Sequence, residues 1–323
     1  MPGLLNLFMI ASGFIIGVLS GFFGFGGGFI LTPLLISLGF PASISVGTSI
    51  METFMSSLVN SLRHRFLGNV KIKAGLAAVS SSILGSEFGA QIIERLKILG
   101  VQYMGFVLSL SYIIILGLIS AYIFHGSLKW RLLKEESSSL RRKFEENGSP
   151  SAITILRPNT EKVSMWIFIL IGFISGFFAG FLGSGGGFIL ITLLIYVVGY
   201  KPRVIAGTSA FWVLLNSAYA SLTHIIKGNV NFILATLIFI GSSAGMQIGI
   251  AATRHVKKDI FKLLFGLCLG FVSLSTFIKL LSESPGLSVL HPLPPIITFI
   301  LVSTVALLII IELLNQIIKK KED

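Results

Sequence analysis

Long, nearly unbroken runs of apolar side chains recur along the chain, at residues 4–24, 44–62, 74–93, 101–124, 163–182, 204–226, 232–253, 260–281 and 296–318. A helix needs roughly 20 mostly apolar residues to cross a bilayer, so these nine runs predict spanning helices. Two shorter runs, 29–40 and 188–200, each follow three consecutive glycines. They are too short to cross upright. A long run, a glycine break and a short run together predict a broken or re-entrant helical hairpin. The pattern leaves open whether such a hairpin crosses fully. The predicted fold class is therefore an all-α polytopic membrane protein.

Composition agrees with this. Of the 323 residues, 54% are hydrophobic and 12% charged, and the mean hydropathy is +0.91. One soluble core cannot hide that much apolar surface, so lipid is the expected solvent. The formal charge of +12 raises the question of a nucleic-acid partner. A soluble binder, however, groups its Lys and Arg on one polar face, whereas here they sit between apolar runs, as in cytoplasmic loops. Residues 1–10 carry no basic side chain ahead of the first apolar run, so that run reads as a membrane segment rather than a secretory signal. Cys268 is the one cysteine. An internal disulfide is excluded, and the residue reads as helix packing.

The two ends of the chain echo each other. The stretch from Gly21 through Gly26-Gly27-Gly28 to Leu31 returns at Ala179 through Gly185-Gly186-Gly187 to Leu190. Gly47-Thr48-Ser49 returns as Gly207-Thr208-Ser209, His64 as His224 and Gly68-Asn69-Val70 as Gly228-Asn229-Val230, all at one offset. Gly85, Gly89 and Gln91 match Gly241, Gly245 and Gln247 after a small deletion. The predicted organisation is a first membrane repeat at 1–125, a basic hydrophilic linker at 126–162, a second repeat at 163–281, and an external loop, extra helix and basic tail at 282–323. A short solvated helix is expected at 128–146.

Counting each hairpin as even places the linker, the Arg63/Arg65 loop, Lys201/Arg203, Lys257/Lys258 and the C-terminal lysines on one side. The positive-inside rule makes that side cytoplasmic. The Gly-Asn-Val loop then faces inward in the first repeat and outward in the second, so the repeats are predicted to be inverted. Inverted repeats with interrupted helices are a transporter architecture with a site near the midplane.

Which residues hold a ligand there follows from simple chemistry. Glycines let a backbone turn sharply and a ligand approach closely, and a helix restarting after them directs N–H groups and a partial positive charge inward. Gly26, Gly27, Gly28, Gly185, Gly186 and Gly187 are thus candidate anion contacts. Tight helix packing is the other use of such glycines. Thr48, Ser49, Thr208 and Ser209 are expected at the start of the next span, where they complete a neutral, donor-rich cradle or simply cap the helix. Polar groups inside spans are suspects by default. Glu52 and Glu87 are expected deep in their spans, where their repeat counterparts are Trp212 and Ser243. A buried carboxyl of this kind suits proton uptake coupled to transport; the alternative for Glu52 or Glu87 is plain hydrogen bonding to neighbouring hydroxyls or a basic end group. Gln91 and Gln247 suit interhelix hydrogen bonds, and His64 and His224 read as membrane-edge residues. With no metal-ligand spacing, nucleophile elbow or phosphate loop, no metal or other cofactor and no ATP use by this chain are expected.

The repeated Gly-Gly-Gly-Phe-Ile-Leu, Gly-Thr-Ser and His-x3-Gly-Asn-Val elements resemble the sulfite exporter TauE/SafE family over nearly the whole chain. The resemblance implies a plasma-membrane permease, not an enzyme, for small sulfur-containing anions such as sulfite or an organosulfonate, usually assigned to export. Uptake of sulfate, thiosulfate or another small anion is the alternative within transport, and a membrane-embedded enzyme or accessory subunit the alternative outside it. Related thiosulfate importers use cysteines along their path, which Cys268 alone does not supply.

Overall fold

The structure is a computed structural model that describes residues 2–72, 76, 79–132, 165–254, 256–283 and 292–322. Every element among these residues is helical. They are α1 (Pro2–Phe23), α2 (Gly28–Ser37), α3 (Ala42–Phe66), α4 (Val79–Leu99), α5 (Val101–Leu132), α6 (Met165–Leu182), α7 (Gly187–Leu193) with a π-helical turn at Leu194–Val198, α8 (Pro202–Ile226), α9 (Phe232–Thr253), α10 (Lys258–Ser282) and α11 (Leu293–Glu322). The expected linker helix at 128–146 has its first five residues inside α5. The rest of it, with most of the linker and the loop ahead of α11, lies outside the described residues.

Each of the nine long apolar runs coincides with a long helix. Only five of the described helices are long and apolar enough to cross a membrane: Gly3–Phe23, Tyr103–Gly126, Phe232–Thr253, Lys258–Ser282 and Leu293–Ile318. The remaining runs are helical as well, and those of α3 and α8 are less apolar because of their inner faces. Their inner faces carry Ser45, Thr48, Ser49, Glu52, Thr53, Ser56, Ser57, Asn60 and His64, and Thr208, Ser209, Asn216, Ser217 and His224, all buried. Polar side chains at that density lower the hydropathy of a helix that other helices shield from lipid. The two pack against each other at the centre, where the hydroxyls of Ser57 and Ser217 meet at 3.5 Å.

The short helices α2 and α7 follow the glycine breaks. Ten residues of α-helix rise about 15 Å, half the roughly 30 Å of a hydrocarbon core.

Around the centre, helices from the two ends of the chain are exchanged. α1 packs along α9, and α6 along α4. Gly13, Gly17 and Gly21 of α1 lie directly on the backbones of Ile238, Ser242 and Met246, while Gly241, Gly245 and Gly249 lie on Ile10, Phe14 and Val18. In the second pair Gly176 and Gly180 meet the Ser82 and Ser86 backbones, and Gly85 and Gly89 meet Phe173 and Phe177. Small residues at four-residue spacing allow backbones this close, which is how helices associate where lipid removes the hydrophobic drive. α10 packs on α5 and on α11, which closes the outer side.

Candidate functional site

The two glycine breaks converge. Gly24, Gly26 and Gly27 have φ of +87°, +84° and +92°, and Gly183, Gly185 and Gly186 have +68°, +64° and +72°, a left-handed backbone that side chains other than glycine resist. Gly28 and Gly187 have ordinary dihedrals but no room. A Cβ on Gly28 would lie 2.6 Å from the Gly183 carbonyl oxygen, and one on Gly187 would lie 2.6 Å from Cα of Phe25. Two glycines of each triplet therefore make the turn and the third lets the tips cross.

What lies between the tips was not foreseen from the sequence. Cβ atoms built on Gly26 and Gly185 would meet the same two side chains, Thr53 Cγ2 at 2.5 and 2.6 Å and Val213 Cγ1 at 3.1 and 3.0 Å. Thr53 and Val213 are separated by 160 residues, the offset of the sequence repeat. The Gly26 carbonyl accepts hydrogen bonds from Thr53 Oγ1 at 3.3 Å and Ser56 Oγ at 3.0 Å, and the Gly185 carbonyl accepts one from Asn216 Nδ2 at 3.4 Å. Thr53, Ser56 and Asn216 thus fix the tips. The signal that would have found them is their i+4 to i+8 spacing from Ser49 and Ser209 on one helix face. On one side the tips are covered by phenylalanines, with Phe25 and Phe29 rings 4.5 Å apart and Phe29 and Phe188 5.7 Å apart.

The Gly-Thr-Ser segments split in two. α3 begins at Ala42 and α8 at Pro202, so both segments lie inside a helix rather than at its start. Thr48 and Thr208 turn away from the tips. The Asn231 backbone N–H donates to Thr48 Oγ1 at 2.9 Å, and the Lys71 N–H donates to Thr208 Oγ1 at 3.2 Å. Each threonine thereby ties its helix to the far end of the chain. Ser209 does reach a tip, donating to the Phe23 carbonyl at 3.4 Å, beside Gly24. Ser49 is fully buried and its hydroxyl has no protein partner.

The two acids part company. Glu52 is completely buried. Its Oε1 accepts from Ser242 Oγ at 2.8 Å, and its Oε2 has no partner and lies 3.6 Å from where a Gly27 Cβ would be. Glu87, expected deep in its span, is near the middle of α4 but only half-buried. There it accepts from Tyr219 Oη at 2.9 Å and from Gln91 at 3.2 Å. Gln91 thus bonds within its own helix rather than across helices, and Gln247 is exposed. Both histidines are fully buried; the arginines on either side of His64 are exposed while its imidazole faces the helix interface. His64 Nδ1 pairs with Asn69 Nδ2 at 3.3 Å and its Nε2 lies 3.4 Å from the Gly21 carbonyl. Cys268 is buried, as a packing residue would be. Among the described residues no group of His, Cys, Asp or Glu is placed to hold a metal ion.

The family model for the sulfite exporter TauE/SafE family matches residues 9–276, a stretch containing both tips and both exchanged pairs. The chain belongs to the TauE/SafE family. It is 24% identical over 259 residues to the probable membrane transporter protein YunE of Bacillus subtilis, covering 77% of this chain and 89% of that one. A probable membrane transporter protein of Methanocaldococcus jannaschii is 23% identical over 287 residues, 82% of this chain and 93% of its own. Sulfite exporter TauE/SafE family protein 6 of Arabidopsis thaliana is 29% identical over a shorter stretch, 26% of this chain and 21% of that one. No solved structure matches. The TauE/SafE chain is accordingly a multi-pass membrane protein of a transporter family.

Proposed function

We propose that this protein is a secondary transporter of the plasma membrane that carries a small sulfur-containing anion, such as sulfite or an organosulfonate, outward. The observation that carries the reading is the convergence of two glycine tips on Thr53 and Val213. α2 opens at one tip and α7 at the other, so the first-turn N–H groups of both gather where the tips cross. Anions favour that environment without a lysine. Gly26, Gly27, Gly28, Gly185, Gly186 and Gly187 supply the backbone, and Ser49, Ser209 and Thr53 the nearest hydroxyls. Thr48 and Thr208 serve the site indirectly, by tying together the elements that hold it. The side chains of Thr53 and Val213 fill the space between the tips, so admission of a ligand requires the tips to part. That fits alternating access of two inverted repeats about the Ser57/Ser217 crossing. Glu52, with one oxygen free beside Gly27, is the group that takes up the coupling proton. The linker and C-terminus are cytoplasmic in this reading.

Binding to purified protein tests it. A ligand held only by the folded state at a hundred times its Kd adds about 2.7 kcal/mol to stability. Sulfite, thiosulfate, sulfate, sulfoacetate and chloride are compared by thermal shift. A sulfur oxyanion is expected to stabilise selectively, and Ser49→Ala plus Ser209→Ala to remove that gain. No response to any of them would overturn the substrate class.

A further inference from the structure

Glu52 is not an isolated acid. Ser56, Asn60 and His64 follow it at four-residue intervals on the same face of α3, and all four are completely buried. Four residues of α-helix rise about 6 Å, a gap that one ordered water closes with two hydrogen bonds. The row runs about 18 Å, from the middle of α3 to its last turn between Arg63 and Arg65. Its polar atoms are only partly used. Asn60 Nδ2 donates to the Ser20 carbonyl at 2.8 Å, while Asn60 Oδ1 and Glu52 Oε2 have no protein partner, as does the hydroxyl of Ser20. Buried acceptors spaced in this way suit water, which needs two to four polar contacts to stay.

The second half lacks the row. At the offset of 160 the counterparts are Trp212, Asn216, Ala220 and His224, so the acid is an indole and the third position is apolar. A row of polar groups needed for helix packing alone would have no reason to occur in one half only.

We propose that Glu52, Ser56, Asn60 and His64 form a proton path that connects the glycine tips to the solution on the Arg63/Arg65 side of the membrane. The path rests on the transport reading above and adds its entry and direction. His64 Nδ1 accepts from Asn69 and its Nε2–H donates toward the Gly21 carbonyl, so the resting ring is neutral. A proton from solution binds at Nδ1 when Asn69 releases it, and the ring passes its Nε2 proton to the waters held by Asn60 and Ser56. The proton ends on the Glu52 carboxylate, which becomes a neutral carboxyl. When the tips part toward the other side of the membrane the carboxyl discharges there, so one proton crosses per cycle, and a flip of the His64 ring restores the Nε2–H tautomer. The groups facing His64 from packed elements are Arg254 at the end of α9, Asn69 and the Gly21 carbonyl. Glu52 faces the Ser242 hydroxyl, with no ion pair among the described residues.

The test uses the full chain in proteoliposomes. The radiolabelled anions sulfite, thiosulfate, sulfate and sulfoacetate are followed in two modes: net flux driven by a pH gradient, and exchange of labelled for unlabelled anion at equal pH. His64→Gln and Asn60→Leu are expected to lower gradient-driven flux by about tenfold or more while exchange stays within about twofold. His224→Gln, in the half without the row, is expected to leave gradient-driven flux within the same twofold. Equal loss of both modes in the His64 and Asn60 variants, or equal effects of His64→Gln and His224→Gln, would mean a packing role and overturn the path. Wild-type flux that ignores the pH gradient would overturn the path and the coupling role of Glu52, and leave the reading of the tips as an anion site standing. Absence of flux for every anion would overturn both.

Discussion

Gly17→Ala adds a single methyl group at the middle level of the α1–α9 contact. Its Cβ would stand 2.2 Å from the Ser242 carbonyl oxygen, 2.5 Å from Ser242 Cα and 2.7 Å from the carbonyl carbon. All three are backbone atoms, so no rotamer change relieves the clash. Reaching ordinary contact moves the helices apart by about 1 Å, and a gap of that size forfeits a quarter to a half of each neighbouring dispersion contact. The levels above and below, Gly13 on Ile238 and Gly21 on Met246, open with it. Overpacking of this kind costs about 1–3 kcal/mol. Displacing Ser242 also strains its bond to Glu52, and leaving a buried carboxyl oxygen without its donor costs about 1–3 kcal/mol more. The sum, about 2–6 kcal/mol, predicts that the detergent-purified variant melts at least about 4 °C below the wild type, at roughly 2 °C per kcal/mol. Gly105→Ala is the control. It lies in α5 with nothing within 4 Å of its Cβ, and alanine favours a helix over glycine by up to about 1 kcal/mol. Melting of the Gly17 variant within about 1 °C of the Gly105 variant would refute the backbone-contact argument.

Two further outcomes follow from buried side chains. Tyr112 Oη donates to the Leu182 carbonyl at 2.6 Å, anchoring α5 to the residue before the second tip, so Tyr112→Phe should lower stability by about 1–3 kcal/mol in chemical denaturation; an unchanged midpoint would count against it. Cys268 is fully enclosed, so a maleimide should label it only after the protein is unfolded in sodium dodecyl sulfate, and rapid labelling of the native protein would contradict the α10 packing.

Much of the fold was legible from the chain alone. The apolar runs marked where the helices lie, because in lipid a helix must satisfy its own backbone and therefore declares itself by length and composition. The glycine triplets marked the breaks, since few other residues tolerate such dihedrals. The polar inner helices were harder. Residues 44–62 and 204–226 look apolar enough in outline, and only the contacts reveal that their serines, threonines and asparagines all face neighbouring helices. Glu52 was singled out as a polar residue inside a span, but its partner Ser242 lies 190 residues away, and nothing in local sequence pairs them. The burial of His64 is hidden for a related reason: its neighbours are arginines, and rotation of about 100° per residue sends them outward and the imidazole in. Thr48 and Thr208 were grouped with the glycines by sequence order, and the structure sends them to Asn231 and Lys71 instead. Long-range pairing of this sort is tertiary information that propensity and spacing do not hold.

The exchange of α1 and α6 between the ends of the chain governs how the protein is made. The glycine face of α1 meets its partner only in α9, more than 200 residues later, so as the chain leaves the ribosome that face waits in the bilayer until nearly the whole polypeptide is inserted. α4 and α6, which are separated by a far shorter stretch, find each other first. The order of synthesis therefore sets an order of assembly, with the second pair closing early and the first pair locking last around the polar centre. Contacts of such separation are slow to form. Until the last one closes, the buried row on α3 lacks its cover from α9, and the unfinished chain lies most open to quality control.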